Sequence, residues 1–354
     1  MKRTLSRLAA TLLATLALVT VSTAPSQAAV PDRKGWVLYN APGASTVAFG
    51  TWPAATTVTP LAPAGRYQVR FPGQAAPGGV VHVTAINASP HWCQVEAWGI
   101  SVADEIVILR CYKLGGILDP TSFSAFFTSS SGLGAFGPYG YAYSSAAGAV
   151  LNQYNSSGAA NTVTPGPVGQ YLVKFSGLVT GGPLDGSLQA TAVNSGTGAR
   201  CKIAKWSSTA AGQDVLVYCF NSAGAFMNTA FTVTYQYKVS LYGSSYPPKY
   251  FGYILNGPPI GPPTTNFNSV GGLGVNTIAP AGAGLSLVTF PRIGFPQNTV
   301  QVTAYGPSPD FCGLNTFWAN FGAGPDTVVR DVICFTSAGA PSSNGFLVSA
   351  SSIL

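Results

Sequence analysis

Charge is what this sequence has least of. Asp, Glu, Lys and Arg make up 8% of its 354 residues, against about 25% in ordinary soluble domains. Histidine occurs only as His82 and His91, and glutamate only as Glu96 and Glu105. Two separated histidines with no cysteine to spare make no zinc or copper set, so neither metal nor cofactor is expected. No phosphate loop, EF-hand loop or dinucleotide fingerprint appears. The "GGLG" at 271–274 is a Gly-rich turn outside any βαβ context. No nucleophile-elbow context singles out a serine. Asp104 and Glu105 are adjacent, so a strand points them to opposite faces, whereas glycoside hydrolysis needs two carboxyls facing across a cleft. No catalytic residue is assigned.

Helical periodicity is missing as well, and no apolar run reaches the roughly 20 residues a membrane span needs. The apolar run at 8–21, "LAATLLATLALVTV", follows Lys2, Arg3 and Arg7 and precedes the small residues "SQAA" (26–29). That is the pattern of an export signal cleaved near Ala29. An extracellular, uninserted protein is expected. The chain carries 17 basic and 10 acidic residues, a net of +7. Without the three basic residues of the signal the balance is 14 to 10, or +4. This is too mild and too scattered for nucleic-acid binding. Only residues 131–245 are distinctly basic, through Arg200, Lys202 and Lys205.

What is present is turn formers and strand formers. Gly (42) and Pro (27) punctuate short segments rich in Val, Thr, Tyr and Phe, which reads as all-β. The segments recur. "GRYQVRF" (65–71), "GQYLVKF" (169–175) and "GLSLVTF" (284–290) each open a series. The second series continues "LQATA" (188–192), "CKIAKW" (201–206), "VLVYCF" (215–220) and "FTVTY" (231–235). The first continues "VHVTA", "CQVEAW", "VILRCY" and "FSAFF", and the third "VQVTA", "CGLNTFW", "VICF" and "FLVSA". Phe123, Phe231 and Phe346 each fall 12 residues after the second Cys of their copy. A period of about 100 residues is that of a whole domain rather than a solenoid turn.

The expected architecture is therefore a signal peptide (1–29) and three tandem antiparallel β-sandwich repeats at 30–130, 131–245 and 246–354. Each is jelly-roll or immunoglobulin-like, with one internal disulfide. Alternation places Tyr171, Val173 and Phe175 on one face of "GQYLVKF", and Tyr67, Val69 and Phe71 on one face of "GRYQVRF". Six cysteines allow 15 connectivities. The repeat selects Cys93–Cys111, Cys201–Cys219 and Cys312–Cys334, each joining neighbouring strands and each worth about 3 kcal/mol in the chain-entropy model. Trp98, Trp206 and Trp318 follow the first Cys of each copy and are expected near the bridge. The repeat resembles that of an uncharacterised family of secreted actinobacterial proteins with tandem disulfide-containing β-domains. The resemblance is strongest over "YNSSGAANTVTPGPVGQYLVKF" (154–175) and the strands after it. It implies export and tandem β-domains and brings no activity.

The candidate site is aromatic. "YGYAY" sets Tyr139, Tyr141 and Tyr143 on one face of a strand. Tyr235, Tyr237, Tyr242, Tyr246, Tyr250 and Tyr253 follow around the junction of the second and third copies. Rings in a row can stack on sugar rings, with Arg200, Lys202 and Lys205 as a basic rim. The alternative is that the tyrosines fill the core. His82, matched by Gln189 and Gln301 in the other copies, is expected to be an outward polar strand residue. His91 is a loop residue beside Trp92, and Asn155 of the formal sequon "NSS" a turn residue. The expected function is a secreted, non-enzymatic binding or structural protein whose serial domains attach multivalently to a polysaccharide or cell-wall polymer. A secreted hydrolase on a sandwich scaffold, an enzyme inhibitor and a structural coat protein are the alternatives. The sequence does not fix the oligomeric state.

Overall fold

The computed structural model describes residues 32–130, 137–182, 184–243, 249–257, 265–322 and 324–354. The export signal, the repeat boundaries at 131 and 246, and Tyr246 lie outside them. The first copy forms β1 (Arg33–Asn40), β2 (Ser45–Thr46), β3 (Thr57–Leu61), β4 (Arg66–Phe71), β5 (Val80–Ile86), β6 (His91–Ser101), β7 (Asp104–Lys113), β8 (Ile117–Leu118) and β9 (Ser122–Ser129). The second forms β10 (Tyr139–Ser144), β11 (Val150–Asn155), β12 (Thr162–Pro165), β13 (Gln170–Ser176), β14 (Ser187–Val193), β15 (Ala199–Thr209), β16 (Gly212–Asn221) and β17 (Ala230–Gln236). The third forms β18 (Phe251–Asn256), β19 (Thr265–Asn268), β20 (Gly272–Leu273), β21 (Thr277–Gly282), β22 (Leu285–Phe290), β23 (Asn298–Tyr305), β24 (Phe311–Leu314), β25 (Ala319–Phe321), β26 (Asp326–Phe335) and β27 (Gly345–Ser352).

Each copy is a two-layer sandwich. In the first, β2-β1-β9-β5 faces β3-β4-β7-β6, an order different from that of an immunoglobulin domain. Between the layers lie Tyr39, Tyr67, Val69, Phe71, Val107, Leu109, Phe123 and Phe127. The other copies bury the equivalent residues, among them Tyr171, Val173, Phe175 and Phe231 in the second and Val288, Phe290 and Phe346 in the third. The alternation read in "GRYQVRF" and "GQYLVKF" is present, with Arg70 and Lys174 exposed on the opposite face. The three disulfides are those the repeat selects. Each joins two residues in direct cross-strand register.

The sandwiches are joined edge to edge. The β6 edge of the first copy meets β14 of the second, the β15 edge of the second meets β23 of the third, and the β24 edge of the third meets β5 of the first. Each junction is one parallel bridge: Val95 with Val193, Ile203 with Tyr305, Leu314 with Ile86. One backbone hydrogen bond of 2.8–2.9 Å flanks each (Asn194 N to Val95 O, Gly306 N to Ile203 O, Asn87 N to Leu314 O). The result is three nine-stranded sheets, each shared by two copies. Three head-to-tail junctions close into a ring around a pseudo-threefold axis rather than leaving an open row.

Ring closure overturns the outward placement of His82, Gln189 and Gln301. All three are buried, because the face of β5, β14 and β23 that turns away from its own sandwich turns toward the axis. His82 Nε2 lies 2.7 Å from Thr234 Oγ1 and Nδ1 lies 3.1 Å from Thr191 Oγ1. Gln189 accepts from Thr303 Oγ1 at 2.8 Å and reaches Ser349 Oγ at 3.5 Å. Gln301 accepts from Thr84 Oγ1 at 3.1 Å and donates to Ser124 Oγ at 2.9 Å. Each copy thus grips hydroxyls of the next, in one rotational sense.

Burial lowers the His82 pKa from its ordinary 6.5 to about 3. Below pH 6.5 the unfolded chain takes up a proton that the folded one refuses until about pH 3. This stability is full above pH 6.5 and is lost as the pH falls through that window. His82→Gln, which installs the residue of the other copies, is expected to preserve the fold at pH 7. It should also flatten the acid limb of urea-unfolding stability between pH 6.5 and 3. Identical acid limbs in the two proteins would show that another group titrates there.

Candidate functional site

The structure disperses the residues singled out by sequence. Tyr139 and Tyr141 are buried, at 0% and 2% exposure, so neither presents a ring to a polymer. Their hydroxyls are used internally: Tyr139 donates to Leu241 O at 3.0 Å and Tyr141 accepts from Ser130 N at 3.3 Å. The reason is again the junction. β10 sits beside β17 near the first copy's sheet, and Val80 and Val239 close over the two rings. Tyr235, Tyr242 and Tyr253 are buried too. Arg200 and Lys202 are 7% and 3% exposed and form no rim, and Lys205 alone of the basic trio reaches solvent. His91 pairs with Asp119 at 3.0 Å. Asn155 is buried and holds a turn, accepting from Ser157 N at 2.9 Å.

Tyr143 is the exception, half-buried against Trp98 of the first copy with ring centroids 4.6 Å apart. Around them opens a groove of about 430 Å³ lined by Pro77, Gly78, Ile100, Leu151 and Asn152. Ile100 and Leu151 stand on its rim at 51% and 55% exposure. One wall is fixed by Asn152, which accepts from Gly79 N at 3.0 Å. Gly78 takes φ +90° there, and a Cβ on it would meet Asn152 Nδ2 at 2.0 Å, so only glycine fits. Its carbonyl accepts the Trp98 indole N–H at 3.0 Å.

Trp98 differs from its counterparts in exposure. Trp206 and Trp318 are buried, and their indoles donate to the amides of Gln213 and Asn298. The position of Gln213 is held in the first copy by Glu105: Phe71 pairs with Glu105 as Phe175 pairs with Gln213. Glu105 accepts from Ala76 N at 3.3 Å, and its other oxygen is buried without a hydrogen-bond partner. Sequence reasoning reaches Trp98 only as a residue near the Cys93–Cys111 bridge. The three copies place Glu105, Gln213 and Thr327 at one equivalent position, and only the first puts a carboxyl there.

The two glutamates lie on opposite faces of one hairpin. Glu105 points inward, where burial raises its pKa to about 7. Glu96 points outward between Arg66 and Arg110, with contacts of 2.7 and 2.6 Å. Partial burial pushes the Glu96 carboxyl upward, and the bonds from the two arginines outweigh it and hold the pKa below the ordinary range. Asp104 faces out to Arg70. Among the described residues no His, Cys, Asp and Glu cluster is disposed to hold a metal. No helix among them is long and apolar enough to cross a membrane. Three closed disulfides and no free cysteine suit an oxidising compartment. No protein-family model matches the chain, and no curated protein matches it.

Because the Glu105 pKa is raised from 4.5 to about 7, its share of stability is full below pH 4.5 and is lost as the pH rises through 7. Glu105→Gln is therefore expected to raise the melting temperature at pH 8 and leave it unchanged at pH 4. A gain of equal size at both pH values would assign the effect to packing rather than ionisation.

Proposed function

We propose that the protein is exported and binds a polysaccharide or cell-wall polymer, without catalysis, through the groove at the junction of the first and second copies. The observation that carries this reading is the half-exposed Trp98–Tyr143 pair. A large apolar face with polar groups beside it (Asn152, the Tyr143 hydroxyl and the Gly78 loop) is what a sugar ring requires, with C–H faces to stack and hydroxyls to bond. The composition agrees, since a neutral polymer needs no charged surface. The export pattern of residues 1–29 and the disulfides fit the compartment where such polymers are found. Hydrolysis has less support, because Glu96 is held by two arginines and Glu105 lies on the far face of the same hairpin.

The ring changes the mode of binding expected of serial domains. The tryptophans equivalent to Trp98 are buried, so attachment rests on one groove per molecule rather than on three repeated sites.

Retention on insoluble peptidoglycan, chitin and cellulose tests the proposal. Wild type is expected to be retained on at least one polymer. Trp98→Ala and Tyr143→Ala should each weaken retention about tenfold, the loss of roughly 1.4 kcal/mol of stacking. Tyr139→Phe, a change in the core, should bind as wild type does. Retention unaffected by either groove substitution, or absent on every polymer, would overturn the assignment.

A further inference from the structure

The residue before the first cysteine of each copy is Trp92, Arg200 and Phe311, and the ring brings all three to one end of the axis. They border a cavity of about 50 Å³ whose walls also include Thr84, Thr191, Thr303, Lys202 and Asp310. The Arg200 guanidinium is clasped between two rings, its carbon 4.8 Å from the Trp92 centroid and 4.3 Å from that of Phe311. Its Nη2 donates to Asn221 O at 3.2 Å and Ser222 O at 3.5 Å. Nε and Nη1 are buried without a hydrogen-bond partner among the described residues.

Lys202 is the second cation. Its ammonium donates to Ser308 O and Asp310 O, both at 3.0 Å, which leaves one N–H of three unused. No carboxylate lies within 4 Å of Arg200 or Lys202 among the described residues. The Asp310 carboxylate acts on both from farther away and itself accepts from Ser342 Oγ. With Lys202 protonated the cavity holds two cations against one carboxylate, an arrangement that burial resists unless a counter-charge joins them. Burial lowers Arg200 to about 10 and Lys202 to about 7, with Asp310 opposing the shift in both and Arg200 adding to it in Lys202. A water-sized probe occupies about 10–15 Å³, so the cavity has room for a few small atoms.

We propose that this cavity binds one small monovalent anion, a halide or an ion of nitrate or formate size, between Arg200 and Lys202 on the pseudo-threefold axis. The anion restores neutrality and ties the second copy, which supplies both cations, to the loop of the third copy that Lys202 already grips. One site forms per molecule, because the first and third copies place Gln94 and Gly313 where the second has Lys202. The inference is independent of the groove.

Bromide is the probe. Full-length mature protein, exchanged into gluconate to exclude small anions, is expected to gain thermal stability saturably as sodium bromide replaces sodium gluconate at constant ionic strength. Crystals grown in bromide should show one anomalous peak within hydrogen-bonding distance of Lys202. Lys202→Gln keeps a loop-capping group without the charge, in the manner of Gln94, which caps the matching loop through Asn194 O, Thr197 O and Ala199 N. It should weaken the midpoint of the bromide response at least tenfold. Trp98→Ala should leave the response intact, which separates this site from polymer binding. The proposal is overturned if the bromide dependence is linear, if it is the same in Lys202→Gln, or if no anomalous peak lies in the cavity.

Discussion

The ring depends on three side chains at its centre. His82, Gln189 and Gln301 each leave their own sandwich and bond hydroxyls of the next copy. The edges they bring together share only a single parallel bridge each, and apolar clusters such as Trp92 and Tyr112 against Phe311 and Phe335 supply the burial across the junctions. A buried amide or imidazole is costly when unmet and nearly neutral when met. The axial network therefore acts through specificity: any other packing that buries these faces strands three polar groups. Apolar side chains there would bury as well but would not fix the rotation of one sandwich against the next.

The two candidate sites both arise where one copy departs from the repeat. Glu105 stands where the second copy has Gln213, and the Trp98 indole bonds Gly78 and packs, partly exposed, against Tyr143. Arg200 in place of an aromatic residue puts a cation at the end of the axis, clasped by the rings its counterparts contribute. Repetition builds the scaffold, and departures from it build chemistry. The groove and the cavity lie on different surfaces of the second copy's neighbourhood and share no lining residue.

Much of this architecture is legible in the sequence, because it is local. Period-two alternation gives the inward Tyr171, Val173 and Phe175, and the repeat alone gives the three disulfides. The ring is not legible, because it is written in contacts distant in sequence, such as Thr84 with Gln301 at a separation of 217. A polar residue alternating with core residues normally faces water, and only closure reverses that at His82. The same blindness misplaces Tyr139, Tyr141, Arg200 and Lys202, all of which lie where one copy covers another. Tyr143 stands out in the sequence for the wrong reason, as one of a row, and its partner Trp98 comes from a different copy.

Closure also limits which residues the three copies can share. In an open row each repeat can carry the same residue at the same place without consequence. Around an axis, equivalent positions are drawn toward one another and each faces the next copy. Lysine at all three positions occupied by Gln94, Lys202 and Gly313 would bring three ammonium groups to one end of a low-dielectric centre, where like charges repel strongly. At Gly313 even a methyl group is excluded, since a Cβ would lie 2.7 Å from Ala85 O. Repetition is therefore limited there for cations and not for neutral residues, since Thr84, Thr191 and Thr303 are alike in all three copies and line one axial cavity.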